Sequence, residues 1–518
     1  MATREEMTFI RAARAGETSA QLMLGKYYLF GGAGLKQNLA TALHWLDRAA
    51  RRNSSEAWML IGEHIPFDVA ARALDPLQLP VWYERAFDAG VMNAGLVLAK
   101  LVLADSKADQ IARDKAFGAL EAAARAGIVD AQWLLAQELG KRKSGAPGDA
   151  GSPRIVDSAT LEWATRAASS GILQAQRTLA DHAWSEQDLP SFLRWALPVA
   201  RALAERRSAG DAAPMSQEDA RFLTRCASAI VKTPDSDESE AERFWELAAQ
   251  AGDKEAQLSA GLWFANMDEK GQRTARLRRK SNYRKAAGWL MAAGRQGVAQ
   301  AWYVLARICL KPNGSFMQLA RSDAACYLER AAEAGHCIAQ LELGLAAWRM
   351  RHCDDASDVR AVYWLQKAAF QGNPEAAALL EKIAPRAAGS AWAQEALLRL
   401  TSGVAASYPL LAARVELAAL FGLAHAETLL IDPHTADCGH CLLVDIRSQH
   451  ARSRRRLIPI RTGEERATLN RLLRVFENID CGPNGPEGNY RQRVYLFKKI
   501  FSYSEMDQGK ALKYEARA

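Results

Sequence analysis

The sequence lacks several features that mark common classes of protein. No apolar run reaches the roughly 18 residues of a membrane helix, and even "GLVLAKLVLA" at 95–104 is interrupted by Lys100. The first residues, "MATREEMTFIRAARAGE", contain early acidic residues and no apolar segment followed by a cleavage site, so we expect no signal peptide. Eight cysteines in 518 residues are too few and too irregularly spaced for a disulfide framework. These features favour a cytoplasmic protein with reduced thiols.

Sequence patterns of enzyme active sites are also missing. No hydrolase triad, carboxylate pair or phosphate loop stands out, and "GGAG" at 31–34 lacks the Lys-Ser/Thr of a P-loop. We therefore expect a protein without catalytic activity.

Positive charge is concentrated in two stretches. The net charge is +8, yet residues 270–285 hold eight basic residues and residues 447–461 hold six, with no acidic residue in either. Binding of nucleic acid or another acidic ligand is one interpretation, although no RNA-binding motif or recognition helix accompanies these stretches. We favour either solvated loops or docking sites for a protein partner with acidic groups, for which the candidate contacts are Arg276, Arg278, Arg279, Arg454 and Arg455.

A helical segment recurs along most of the chain. Each copy has a large apolar residue, in most copies a basic residue three positions later, then a pair of small residues and a Gly. The position before the small pair recurs every 37 to 50 residues, apart from one gap of 81 that holds a degenerate copy at 192–207, which gives roughly ten units. The clearest copies are "ALHWLDRAA" at 42–50, "VWYERAFDAG" at 81–90, "LEWATRAASSG" at 161–171, "RFWELAAQAG" at 243–252, "AACYLERAAEAG" at 324–335 and "AVYWLQKAAFQG" at 361–372.

The letters of the repeat predict a pair of helices. We name the segment just described the B helix, and the A helix precedes it with a Leu-Gly or similar small pair. Small residues let two helix backbones approach closely, and the Gly after the B helix can adopt the left-handed conformation that ends it. Because such a pair cannot bury its apolar face alone, successive pairs must stack.

The pattern A-x3-L-G-x2-Y…G-x-G…A-x2-W-x2-K-A-A-x2-G resembles the Sel1-like repeat of bacterial proteins, a relative of the tetratricopeptide repeat. The resemblance implies an all-α fold: a right-handed α-solenoid of about ten helix pairs over residues 16–431, preceded by an N-terminal cap at 1–15. The best single copy contains Ala20, Leu24, Gly25, Tyr28, Gly32, Gly34, Leu35, Ala42, Trp45, Arg48, Ala49 and Ala50.

Residues 432–518 depart from the repeat. Helix-like patterns at 465–479 and 489–501 are separated by the turn-rich "DCGPNGPEG". Because a repeat array needs an end that covers its last apolar face, we expect a helical C-terminal cap that carries the CxxC motif and the Arg-rich stretch.

Cys438-Gly-His-Cys441 has the spacing of a thiol–disulfide active site and of half a zinc site. No βαβ pattern surrounds it, which disfavours a thioredoxin-like module. Zinc-ligand candidates are His434, Cys438, Cys441 and His450, with His440 or Cys481 as substitutes for the last. The remaining alternative is two ordinary thiols at a loop-to-helix junction, and we expect no cofactor.

The resemblance implies a scaffold or adaptor that assembles protein complexes, in signalling, envelope or secretion-system assembly. We expect a partner segment to lie in the groove of the solenoid, where Trp58, Trp133 and Trp302 occupy A-helix positions. The alternative is that each tryptophan packs against the adjacent unit. The sequence names neither the partner nor the oligomeric state.

Overall fold

The structure is a computed structural model of the full chain. It describes residues 4–32, 35–73, 78–105, 108–144, 158–209, 214–233, 237–274, 281–310, 321–385, 389–448 and 454–501.

The chain divides into two units, and the first, Met1–Asp253, is built from helices packed in sequence order. A and B helices pair as α2 with α3, α4 with α6, α7 with α8, α9 with α10, α11 with α12 and α13 with α14. The helices are α1 Arg4–Ala15, α2 Thr18–Phe30, α3 Leu39–Ala50, α4 Ser55–His64, α5 Phe67–Ala70, α6 Leu79–Asp88, α7 Met92–Ala104, α8 Gln110–Arg125, α9 Val129–Ser144, α10 Ser158–Ser169, α11 Leu173–Ser185, α12 Leu189–Ser208, α13 Gln217–Lys232 and α14 Glu238–Gln250.

The second unit, Lys254–Ala518, begins with the same pattern. Its pairs are α15 with α16, α17 with α18 and α19 with α20, and a less regular pair follows, α22 with α24. The elements are α15 Lys254–Ala265, α16 Tyr283–Arg295, α17 Ala299–Cys309, α18 Arg321–Glu333, α19 Cys337–Arg349, α20 Ser357–Phe370, α21 Pro374–Ile383, α22 Ala391–Arg399, α23 Ser402–Ser407, α24 Pro409–Phe421, α25 His425–Leu430, α26 Pro433–Ala436, β1 Cys441–Val444, β2 Arg456–Pro459, α27 Gly463–Val475 and α28 at 490–501.

The prediction of an all-α array of stacked helix pairs is confirmed. None of the described helices combines the length and apolar character needed to cross a membrane.

In three pairs, the two helices meet where a glycine of the A helix faces a leucine of the B helix. A Cβ atom added to Gly25 would lie 2.7 Å from the Leu46 side chain, and one added to Gly261 would lie 2.5 Å from Leu290 Cγ. Gly344 and Leu365 repeat the contact at 2.8 Å. No larger residue fits these positions without moving its neighbour, which explains the Leu-Gly element of the repeat.

Consecutive pairs are joined by a glutamine of the A helix. Gln340 Nε2 donates to the carbonyl oxygen of Ala332 at 2.9 Å, near the end of the preceding B helix. This contact satisfies one of the carbonyls that a helix terminus leaves without a partner inside the helix. Between the two residues Gly335 turns the chain with φ 96°, a conformation that Asn53 adopts in the first repeat. The same bond joins Gln21 to Ala13, Gln132 to Ala124 and Gln176 to Ala168.

The C-terminal region contains the predicted helices and also a sheet that the sequence analysis did not foresee. Strands β1 and β2 are antiparallel, with Cys441 opposite Pro459 and Val444 opposite Arg456. Side chains alternate between the faces of the sheet, so Cys441 and Leu457 pack with α20 and α21 while Leu442, Val444 and Ile458 pack with α24 and α27. We call β1 and β2 together the hairpin.

A buried ion pair holds the turn-rich segment after α27 against α24. Arg414 is fully buried and donates from Nε and Nη2 to the two carboxylate oxygens of Glu487, at 2.7 and 2.6 Å. Its Nη1 donates to the carbonyls of Thr428 and Ile431, both at 2.8 Å. Because the charge is paired and four of the five N–H groups are hydrogen-bonded, the guanidinium group can remain inside the protein.

We predict opposite effects for Gly→Ala substitution at two glycines of one helix pair. Gly261→Ala places a methyl group against Leu290, so we expect overpacking to lower the free energy of unfolding by about 1–3 kcal/mol. Gly288→Ala in α16 meets no atom within 4 Å, so we expect a gain of about 0.5–1 kcal/mol from reduced freedom of the unfolded chain.

The measurement is urea-induced unfolding, monitored through the hydrogen exchange of the backbone amides in α15 and α16. Equal effects of the two substitutions would contradict the close-contact account of this helix pair.

Candidate interaction surface

Trp133 lies inside the packing of three helices. Only 8% of it is exposed, and its Nε1 donates to Gln174 Oε1 of α11 at 3.2 Å. It shares an apolar cluster with Ala164 of α10 and Leu179 of α11. This corrects the expectation that its ring is open to a groove.

Trp302 is enclosed in the same way, with 8% exposed. Its ring stacks on Tyr327 of α18 at 5.7 Å and covers Gly294 of α16, where an added Cβ would lie 2.4 Å from Trp302 Cε2. Trp58 is half-buried against the core of the first unit. For Trp133 and Trp302 the alternative of packing between neighbouring units describes the structure, so neither offers its ring to a partner.

Arg455 is occupied within the chain. Its guanidinium group donates to both carboxylate oxygens of Asp358 at 2.8 and 2.9 Å, and to Asp445 Oδ2 at 3.1 Å. Hydrogen bonds from Arg447 and Arg455 hold the pKa of the Asp445 carboxyl well below its usual range. This corrects the expectation that Arg455 is offered to a partner.

Other arginines of the second basic stretch are also paired. Arg456 binds Glu427, Arg447 binds Asp445 and Arg461 binds Glu381, whereas Arg454 is exposed. The predicted contacts Arg276, Arg278 and Arg279 lie outside the described residues.

The CxxC motif sits at a loop-to-strand junction and lacks an activated thiol. Cys438 is half-buried and Cys441 is fully buried. Burial raises the pKa of both thiols, and the nearby thiol of Cys438 adds to the increase for Cys441. A thiol–disulfide enzyme needs the opposite shift, because the thiolate is its nucleophile.

The candidate zinc ligands do not converge in the part of the chain that the structure describes. No group of three or more His, Cys, Asp or Glu side chains there could hold a metal ion. His434 is exposed, and His450 falls outside the described residues. The His440 Nε2 atom lies 2.9 Å from the Val359 carbonyl oxygen, which directs this ring toward α20.

The structure instead identifies a face of α20 that binds the hairpin. We call it the hairpin-binding face and define it by Val359, Tyr363 and Gln366, spaced three or four residues apart on one side of the helix. Gln366 Nε2 donates to the carbonyls of His440 and Ile460 at 3.2 and 3.3 Å, and the Tyr363 ring lies 5.2 Å from that of His440.

The position equivalent to Tyr363 is exposed in seven other B helices, α3, α6, α8, α10, α14, α16 and α18, whereas its equivalent in α24, Ala413, is buried. The sequence contains a signal for this face. The residue four positions before the one that precedes the small pair varies freely between copies. The equivalent residues are His44, Val81, Gly118, Glu162, Arg243, Gly288 and Cys326.

A groove of about 650 Å³ continues from the hairpin-binding face toward the end of α20. Its lining includes Gln340, Phe370 and Leu380 from the helices and Ile460 and Arg461 from the segment after β2. The groove therefore combines repeat residues with C-terminal residues.

The Sel1 repeat family model matches residues 18–54, 233–253, 324–336 and 339–373. These segments are A and B helices of the packing described above. The chain therefore contains Sel1 repeats in these four segments. Repeats of this family generally mediate protein–protein interactions.

Three solved structures are similar to this chain. A protective antigen of uropathogenic Escherichia coli with an SLR fold has 20% identity and a TM-score of 0.40, over 91% of this chain and 94% of that chain. A Sel1 repeat protein from Oxalobacter formigenes has 20% identity and a TM-score of 0.33, over 64% and 88%. A Sel1 repeat protein described as putative from Klebsiella pneumoniae has 16% identity and a TM-score of 0.16, over 57% and 94%. No curated protein matches the chain.

We predict that Arg455→Gln loosens the hairpin. The change leaves Asp358 and Asp445 without a shared cation, and we expect a loss of about 1–3 kcal/mol in the stability of β1 and β2. Hydrogen exchange of the strand amides measures the effect. Arg454→Gln is the matched control because Arg454 is exposed, and equal exchange in both variants would refute the role of Arg455.

We also predict slow alkylation of the CxxC thiols. Iodoacetamide at pH 7 should modify the exposed Cys326 and Cys353 first and Cys441 last, because Cys441 is buried and its pKa is raised. Mass spectrometry of peptides over time gives the order. Fast labelling of Cys438 would instead support the thiol-enzyme alternative.

Proposed function

We propose that the protein is a non-catalytic adaptor that holds polypeptide segments of partner proteins on the exposed faces of its B helices. The observation that carries this proposal is the hairpin, an extended segment of the chain itself that lies on the hairpin-binding face of α20. The equivalent position is exposed on seven of the other B helices, as Glu162 and Arg243 illustrate.

The contacts of the hairpin explain how such a face holds a segment. Gln366 binds backbone carbonyls, which every segment carries, so this contact does not depend on sequence. Leu457 adds apolar burial and the Arg455–Asp358 ion pair adds orientation. A partner segment that supplies these three kinds of contact would bind in the same manner.

Acidic groups on the partner are supported by arginines that stack on tryptophans. The guanidinium carbons of Arg48 and Arg85 lie 5.5 and 5.2 Å from the ring centroids of Trp45 and Trp82, and both arginines are exposed. Stacking limits the rotamers of each arginine and leaves its charge available to a carboxylate. The cytoplasmic location and a role in signalling, envelope or secretion-system assembly remain predictions from the sequence.

Site-specific photocrosslinking in the native host tests the adaptor role. Benzoylphenylalanine replaces Glu162 in α10 or Arg243 in α14, and for the control it replaces Leu173, which is 45% exposed on the A helix α11. We expect a discrete crosslinked protein from a B-helix position and none from Leu173.

The same crosslink should persist when Cys438 and Cys441 are both changed to Ser. Loss of the crosslink in that variant, or equal crosslinking from Leu173, would contradict an adaptor that binds through its B-helix faces.

A further inference from the structure

Phe370, the last residue of α20, is the most exposed large apolar residue in the described chain. Its exposed fraction is 94%, compared with 57% for Phe30 and 69% for Tyr495. An isolated apolar residue on a surface is ordinary. Two features distinguish Phe370 from other exposed apolar residues: its position in the repeat and the groove next to it.

In seven of the other B helices the equivalent position carries a polar or charged residue, whereas the last copy, in α24, carries Leu420. These seven positions lie three residues after the one that precedes the small pair, and their residues are exposed. The repeat therefore needs no apolar side chain there. An aromatic side chain at 370 therefore serves something other than the packing of the pair. The equivalent residues are Arg51, Asp88, Arg125, Ser169, Gln250, Arg295 and Glu333.

Phe370 also lines the groove of about 650 Å³ that separates α20 from the segment after β2. Leu380 and Ile460 form apolar parts of the groove lining. The side-chain amides of Gln371 and Gln340 are held by a hydrogen bond from Gln371 Nε2 to Gln340 Oε1 at 3.0 Å. A knob and a cavity of sufficient volume for an aromatic ring thus lie on one surface.

The charges that line this groove are balanced. The lining contains two acidic residues, Glu333 and Glu381, and two basic residues, Lys367 and Arg461, so the patch has no net charge although the chain carries +8. A patch with both signs and with both knob and cavity can pair with itself about a two-fold axis, the commonest symmetry of homo-oligomers. Two such patches meet without the repulsion that the rest of the chain would cause.

We propose that this surface binds the same surface of a second copy of the chain, with each Phe370 entering the groove of the other copy beside Leu380 and Ile460. The resulting homodimer does not depend on the adaptor role, because the B-helix faces used for partners are separate positions of the repeat.

Sedimentation velocity of the full chain tests self-association. We expect the average mass to rise from 56.8 kDa toward twice that value as concentration increases. Phe370→Ser, the residue that Ser169 provides at the equivalent position, should raise the dissociation constant at least about tenfold, as expected for loss of a central anchor. Leu398→Ser is the matched control, since Leu398 is 90% exposed and does not line the groove.

A wild-type chain that stays at 56.8 kDa up to about 0.1 mM overturns the proposal, because even a dimer with a Kd of that order would be half formed. Equal weakening by Leu398→Ser overturns it as well. Because Phe370 makes little contact with the fold, the variant should retain the wild-type circular dichroism spectrum and melting temperature.

Photocrosslinking locates the contact. Benzoylphenylalanine at position 370, in a mixture of copies with natural and heavy nitrogen, should give crosslinks between light and heavy chains that map to residues 377–381 or 460–461. Crosslinks confined to one copy would mean that the chain covers its own groove, and crosslinks to another protein in the host would assign the surface to that partner. Either result rejects the homodimer.

Discussion

The close approach of a glycine on one helix to a leucine on the next is the constraint on which the repeats depend. At Gly25, Gly261 and Gly344 the leucine of the B helix occupies the space where a side chain would begin. This contact sets the distance between the two helices of a pair. Between pairs, the glutamine of the following A helix binds a carbonyl at the end of the preceding B helix, as Gln340 binds Ala332. Close contact of small residues therefore sets the spacing within a pair, and the glutamine bonds join successive pairs.

A repeat built in this way leaves one side of each B helix unused by the packing, and α20 shows what that side can hold. Gln366 donates to the carbonyls of His440 and Ile460, the residues just before β1 and just after β2. Cys441 and Leu457 extend the apolar cluster that contains Val362 and Leu365. The hairpin covers one side of α20, and the segment that follows it lines the groove beside Phe370. The C-terminal region thus does more than cover the last pair, since it shapes the surface that the second unit presents.

The repeat could be predicted because its constraints are local, and the hairpin could not because its constraints are distant. Small pairs, Leu-Gly and the terminal Gly are visible within about forty residues, and Asn53 in place of Gly follows from its tolerance of positive φ. The strands "CLLV" and "RLIP" are buried on both faces, so they lack the polar–apolar alternation that indicates a half-exposed strand. For a related reason, the sequence leaves open whether the rings of Trp133 and Trp302 are enclosed, because the residues that enclose them belong to neighbouring units.

The basic stretch at 447–461 shows why charge counted along a sequence differs from charge on a surface. Arg455 forms an ion pair with Asp358, 97 residues earlier in the chain, Arg456 pairs with Glu427, and Arg461 pairs with Glu381. Each pairing removes a positive charge from the field that an approaching ligand would feel, which weakens the case for nucleic acid at this stretch. What remains for recognition is the exposed B-helix faces, arginines such as Arg48 and Arg85 that stack on tryptophans, and the exposed ring of Phe370. Such surfaces select a partner by shape and register, and the exposed arginines add a preference for acidic groups.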